Sequence, residues 1–327
     1  MRKTLLGSFL GVLFAVIALL SIAYFWFNQQ LAPVAPGSVE NIRVVVPKGG
    51  TVTQLADELA EKGLVKDATV FRITARQKNL HTVLRPGSFE LSPGMNVEQI
   101  IGVFMTETED IWVTIPEGLR VEEVAQLFAK QELSEFDQDE FLALAKDSEG
   151  RLFPDTYLVP KEITAEKVYD LLTNTFHQKV EVGLEDELAT DGRDLDEILV
   201  LASLVQREGR SATDMRTIAG VLQNRLDIGM KLDIDATLSY LRGYDAQAES
   251  WWSAPDISLK TNTSEYNTYL YATLPPAPIA NPGLDAIKAV LEPISNDYLF
   301  YLHAPDGTAY YATTLTEHTN NVNRYLR

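Results

Sequence analysis

The 327-residue chain contains no cysteine. Disulfide staples and thiolate chemistry are therefore closed to it, and its domains must hold by packing alone. Histidine is nearly as scarce: His81, His177, His303 and His318 are scattered. None forms the His-Glu-x-x-His pair that holds zinc on a helix, so a metal site is not expected. Basic residues are the minority, 28 Lys and Arg against 46 Asp and Glu, for a net charge of −18 and an isoelectric point near 4.6. Phosphate backbones demand a basic surface, so nucleic acid is excluded as a partner. The acidic run Glu185-Asp186-Glu187 with Asp191, Asp194 and Asp196 reads as a solvated loop and helix start. No Gly-x-Ser-x-Gly elbow exists, Ser203 lacks a Lys three residues on, and no phosphate-binding glycine loop is found. No cofactor is expected.

Long uncharged runs are absent except at one place. From Leu5 to Phe27 no charged residue occurs, which meets the roughly 20 apolar residues needed to span a bilayer. A cleaved signal would be shorter and end in small residues, whereas Tyr24-Phe25-Trp26-Phe27 suits a membrane interface. Residues 1–30 are accordingly expected to be a cytoplasmic stub and uncleaved transmembrane helix. Arg2 and Lys3 precede it and no Lys or Arg follows until Arg43, so the N-terminus is expected in the cytoplasm and the rest of the chain outside. Residues 31–41, polar and Pro-bearing, read as a tether.

With 46% hydrophobic residues, the remainder is ample for more than one globular domain. Arg43–Val46 reads as a strand, then a Gly turn, then a helix with Val52, Leu55, Ala56 and Leu59 on one face. The same pattern recurs at Ile115-Pro-Glu-Gly118 leading into Val121, Val124, Ala125 and Phe128, and more weakly at Gly94–Ile100. Such a unit is too small to bury its face alone. Read by pattern, it is a structural repeat or a glycan-binding module. A first domain is expected over 42–108 and a second over 109–327. In the second, helices are expected at Phe141–Ala145, Ala165–Phe176 and Met215–Leu226, with a loop over Glu149–Tyr157. A long aromatic loop carries Trp251, Trp252 and Tyr269, and an Asp306-Gly307 hairpin precedes a helix from Leu315. Helices and strands are segregated, which favours an α+β fold.

One carboxylate breaks the hydrophobic order. Ile198, Leu201, Val205 and Glu208 follow one another at helical spacing, so Glu208 continues an apolar stripe and points inward. Apolar surroundings raise a carboxyl's pKa and can make a general acid of it; the bland alternative is pairing with a neighbouring Arg. Tyr266, Asn267, Thr268, Tyr269, Trp251 and Trp252 supply the hydrogen bonds and flat apolar faces that suit a sugar, although the two Trp residues would equally cover a core edge. Glycosidases usually pair two carboxyls across the bond. Asp233 and Asp235 are candidates for a second acid only by nearness in sequence.

Several motifs in one order now resemble the YceG-like family of membrane-anchored endolytic murein transglycosylases. They are Gly150-Arg-Leu-Phe-Pro-Asp-Thr-Tyr157, Leu201-Ala-Ser-Leu-Val-Gln-Arg-Glu208, Gly220-Val-Leu-Gln-Asn-Arg-Leu226, Asp235-Ala-Thr237, Ser264-Glu-Tyr-Asn-Thr-Tyr269 and Leu274–Gly283. The family usually carries a second Glu where this chain has Gln206, and Gly where it has Ala277. The first departure marks Glu208 as the acid; the second leaves the local groove shape open. The resemblance implies a LysM-like α/β module over 42–108 and an α+β catalytic domain over 109–327. It implies Glu208 as the catalytic group and Asn224, Tyr266, Asn267, Thr268 and Tyr269 as groove contacts. The implied reaction cuts the bond between N-acetylmuramic acid and N-acetylglucosamine within nascent peptidoglycan strands, leaves a 1,6-anhydromuramyl end and terminates elongation. Glycan strands, the membrane through residues 5–27 and peptidoglycan synthases would be its partners, at the periplasmic face of the inner membrane. The rival readings are a non-catalytic peptidoglycan-binding scaffold and a hydrolytic muramidase.

Overall fold

The computed structural model describes residues 2–47, 49–105 and 110–326; the side chains of 2–13 and 15 lie outside that description. The chain divides into two compact units, at Ile111 and Trp112.

In the first unit, helix α1 (Arg2–Leu31) leads to strand β1 (Ile42–Val46). Among the described residues no helix is long and apolar enough to cross a membrane. Much of the expected anchor, at 5–13 and 15, lies outside the described side chains. Helices α2 (Val52–Glu61), α3 (Ala68–Gln77) and the single turn α4 (Leu80–Val83) follow, then β2 (Gly87–Leu91) and α5 (Val97–Phe104). The two strands pair antiparallel with Val44 opposite Phe89. Their inner faces and the helices enclose one core, in which Leu59, Phe71, Ile100 and Phe104 are fully buried. Phe104 meets the ring of Phe89 edge-on at 4.6 Å.

The second unit opens with β3 (Ile111–Thr114), α6 (Val121–Ala129), α7 (Gln138–Leu144) and β4 (Thr156–Val159), which pairs with β3. Then come α8 (Ala165–Phe176), a π-helical turn (His177–Val182), α9 (Glu185–Asp191), α10 (Leu195–Glu208), α11 (Ala212–Asp227) and α12 (Asp235–Arg242). A long loop with one 3-10 turn at Ile257–Thr261 leads to α13 (Leu284–Leu291), a hairpin of β5 (Phe300–His303) and β6 (Ala309–Ala312), and α14 (Leu315–Tyr325). Among the described residues, three separate two-stranded sheets among helices make this a mixed α and β fold. Helix α10 runs through the centre: eight consecutive residues from Ile198 to Val205 are buried. A helix apolar on every side is one the core surrounds.

The recurring strand, Gly turn and helix has a local cause. Helices α2, α5 and α6 each begin with Val after a residue whose backbone N–H is caught by a side chain three positions on, Gln54, Gln99 and Glu123. Thr51 and Asn96 complete reciprocal capping boxes. Arg120, which has no acceptor, contributes only the backbone half.

Two expectations need correction. The stretch Glu149–Tyr157 is not loop throughout, because β4 begins at Thr156. The acidic run is helical as α9, its Glu185, Asp186 and Glu187 lying in the first turn, where the helix dipole favours negative charge. Helices α12 and α13, of eight residues each, are too short for their periodicity to stand out.

Candidate active site

Glu208 is the last residue of α10, where the helix's unpaired carbonyls place partial negative charge beside its carboxyl. The chain turns at once into α11 through Gly209. A Cβ there would lie 2.4 Å from Met215 Cγ, so only glycine allows so close a corner. Beneath Glu208 the stripe of Ile198, Leu201 and Val205 is buried, as its phase requires. Glu208 itself is partly exposed and stands in the wall of a cavity of about 440 Å³.

Burial pushes the Glu208 carboxyl above its ordinary range, and the negative charge of Asp235 adds to that. The Tyr301 hydroxyl, which donates to Glu208 Oε2 at 3.0 Å, works in the opposite direction, as do the positive charges of His303 and Arg207. Desolvation wins. The carboxyl holds its proton to higher pH than a free Glu, and with Tyr301 on Oε2 it is Oε1 that is left to carry it. Burial and the Glu208 charge raise Tyr301 well above an ordinary tyrosine, so it remains a donor.

Four further residues of the cavity wall, Asp235, His303, Arg225 and His318, are each held by their neighbours. Asp235, at the start of α12, accepts from the Tyr269 hydroxyl at 2.6 Å. His303 lies two residues from Tyr301 on β5, hence on the same strand face, and its Nε2 meets Asp214 Oδ2 at 2.8 Å. Asp214 is also bonded by the Tyr311 hydroxyl and the Arg210 N–H. Arg225 lines the cavity with its guanidinium held by the carbonyls of Leu299 at 2.6 Å and Leu232 at 2.5 Å. His318 from α14 stacks on Phe300 at 5.4 Å, and desolvation, then Arg225, lower its pKa. The arrangement offers one carboxyl with a raised pKa, a second carboxyl beside it and an enclosing rim of aromatic and basic groups.

Of the residues singled out from sequence, Glu208, Tyr269, Asp233 and Asp235 line this cavity. Tyr266 lines a different one, on the other side of its loop. Asn267 is fully buried, its amide donating to the carbonyls of Leu259, Lys260 and Asn262. Thr268 bonds Ile234 N and Thr237 Oγ1, both at 3.0 Å. Asn224 Nδ2 donates to the carbonyls of Asn296 at 2.8 Å and Tyr298 at 3.0 Å, tying α11 to the segment that enters the hairpin. These three side chains brace backbone rather than line the cavity. Trp252 donates from Nε1 to Glu123 at 2.8 Å beneath the guanidinium of Arg207, and Trp251 packs under Arg120. Gln206 Oε1 accepts from Gly283 N at 2.9 Å, a structural bond. Sequence reasoning passed over Tyr301, His303, Arg225 and His318; the alternation Tyr301, Leu302, His303 in the hairpin was the one available signal.

A model of the YceG-like family matches residues 44–324, and the chain belongs to that family. Two curated relatives carry the name endolytic murein transglycosylase. The protein of Streptococcus pneumoniae R6 is 28% identical over 99% of this chain and 65% of its own length. This chain thus spans just under two thirds of that relative. The protein of Bacillus subtilis 168 is 26% identical over 93% of this chain and 90% of its own. The crystal structure of a YceG-like protein from Listeria monocytogenes matches with a TM-score of 0.54 at 27% identity, over 86% of this chain and 99% of that one.

Proposed function

We propose that the chain is an endolytic lytic transglycosylase that cuts the muramyl–glucosaminyl bond within nascent peptidoglycan strands and so ends their elongation. The observation that carries the proposal is the setting of Glu208: a carboxyl in a cavity, its pKa raised by burial, with one oxygen bonded by Tyr301. Family membership and relatives named for this activity support it.

Glu208 Oε1–H donates to the glycosidic oxygen as the bond to the anomeric carbon breaks. The carboxylate that results is stabilised by the Tyr301 hydrogen bond, which is stronger to a charged acceptor. It then removes the proton from the muramyl 6-hydroxyl as that oxygen closes on the anomeric carbon. The carboxyl is restored, no water is consumed, and the product ends in a 1,6-anhydro ring. The substrate acetamido group shares the stabilisation of the oxocarbenium-like state. In this reading residues 5–27 anchor the chain in the inner membrane with the two units on its periplasmic face, the 42–108 region is a LysM-like glycan-holding module, and synthases are neighbours.

Asp235 gives substance to one rival. A second carboxyl in the Glu208 cavity is what a hydrolytic muramidase needs to direct water. Mass spectrometry of products from purified strands decides: anhydro ends lack the mass of one water that hydrolysis adds. Glu208→Gln should lower turnover by about 10²–10⁴-fold, the usual contribution of a general acid. Full activity in that variant, or water-added products, refutes the proposal.

A further inference from the structure

We propose that a second cavity in the same unit, walled by Glu149, Tyr240 and Tyr266, is a subsite for a neighbouring N-acetylated sugar of the strand bound at Glu208. The inference rests on the function proposed above. The cavity encloses about 470 Å³. Tyr240 and Tyr266 lie 4.9 Å apart between ring centres, and the Arg120 guanidinium sits 4.2 Å over Tyr240, so this wall is fixed before any ligand arrives. Pro276, Ala277 and Pro278 add apolar surface of the kind a sugar ring packs against.

Glu149 supplies the polar contact. Its Oε1 accepts from Asn281 Nδ2 at 2.9 Å and its Oε2 from Val121 N at 3.3 Å. Burial pushes this carboxyl up to about 8; the Val121 N–H and the Arg120 charge oppose that shift, while Glu122 and Glu123 reinforce it. At neutral pH it is therefore an acid with a proton to give. Both of these partners are donors, so the proton is left to a ligand acceptor, and an acetamido carbonyl is the strongest that a glycan offers. Charge around the cavity is balanced within the protein: Asp196 is paired with Arg151 at 2.6 Å, Glu122 with Arg120 at 3.2 Å, and Lys146 and Asp147 add one charge of each sign. This favours a neutral polar ligand over a charged stem peptide.

Two elements connect this cavity to the one at Glu208. Helix α12 places Asp235 in one and Tyr240 in the other, five residues or roughly 7.5 Å along its axis. The 262–271 loop likewise places Tyr269 in one and Tyr266 in the other. A polymer lying across Glu208 meets both.

The test uses the full chain carrying Glu208→Gln, which binds without turning over, titrated by calorimetry with peptide-free glycan of two and of eight sugars and with isolated stem peptide. The octasaccharide should bind at least tenfold more tightly than the disaccharide. Adding Glu149→Ala should remove about tenfold of octasaccharide affinity and leave the disaccharide unchanged. Between pH 7 and pH 9.5 octasaccharide binding should weaken as Glu149 ionises. With Glu149→Gln, whose amide still donates, affinity should persist and the pH dependence should vanish. Equal affinity for both lengths, a Gln variant that keeps the pH dependence, or stem-peptide binding lost on Glu149→Ala would each overturn the subsite. Release of anhydro ends by the wild-type chain is scored separately. Turnover without length-dependent binding refutes the subsite alone, and binding without turnover refutes the enzyme reading alone.

Discussion

Replacing Glu149 by Gln should make the second unit less stable in acid and more stable in base. The folded carboxyl holds its proton to about pH 8, whereas the unfolded one releases it near 4.5. Between those values the native state binds the extra proton, so wild-type stability falls as pH rises and levels off above about 8. At ~1.4 kcal/mol per decade the whole interval is worth at most ~5 kcal/mol, and because Glu149 is partly accessible, solvent screening reduces the expected loss to ~2–3 kcal/mol. Gln has no proton to lose and escapes this term. It does place an amide NH₂ against Val121 N–H, which removes an acceptor worth ~1 kcal/mol at any pH. The two stability curves should therefore cross at roughly pH 5–6, with the variant ahead by ~1–2 kcal/mol at pH 9. Urea unfolding followed by tryptophan fluorescence reads the right unit, since three of the four Trp residues, 112, 251 and 252, belong to it. Curves that stay parallel from pH 5 to 9 would show that Glu149 ionises normally in the fold.

The Glu208 cavity makes its own demands. Tyr301→Phe removes the hydrogen bond that lowers the Glu208 pKa, so the basic limb of the activity profile should move to higher pH while maximal turnover falls about tenfold, the share of one charge-assisted bond. An unshifted limb counts against the pairing. Asp235→Asn removes a negative charge that raises Glu208; the same limb should move to lower pH, and the products should remain anhydro-ended by mass spectrometry. Asn267→Ala should cost about 2–4 kcal/mol in urea unfolding by stranding three backbone carbonyls, with KM for glycan unchanged; a raised KM at full stability would make Asn267 a ligand contact.

The parts of the fold legible in sequence are those with local causes. Helices α2, α3, α8, α10 and α11 announce themselves by periodic burial, and the hairpin by Asp306-Gly307, where Gly307 adopts φ +88°. The acidic run shows the opposite limit. Composition suggested solvation, but acids in a first turn stabilise a helix, so charge density could not separate loop from α9. The site was legible in the same uneven way. Glu208 was visible because a charged residue in an apolar phase is a local anomaly. Tyr301 lies 93 residues away, and no spacing rule reports a partner brought in by tertiary packing.

Chemistry-bearing residue types misled where their hydrogen-bonding capacity was already used. Asn, Thr and Tyr were read as sugar contacts because they donate and accept, yet the same property lets a buried Asn or Thr satisfy loop carbonyls that would otherwise be stranded. The 262–271 loop needs such satisfaction because it is long and carries little regular structure. Two of its tyrosines behave differently: Tyr266 and Tyr269 enter two separate cavities, the Tyr269 hydroxyl reaching Asp235 of α12, while Asn267 and Thr268 between them turn inward. The loop thus divides its labour, with Asn267 and Thr268 setting its shape and Tyr266 and Tyr269 facing cavities. Of the five expected groove residues, two tyrosines line cavities, held three residues apart by two side chains that bond loop backbone.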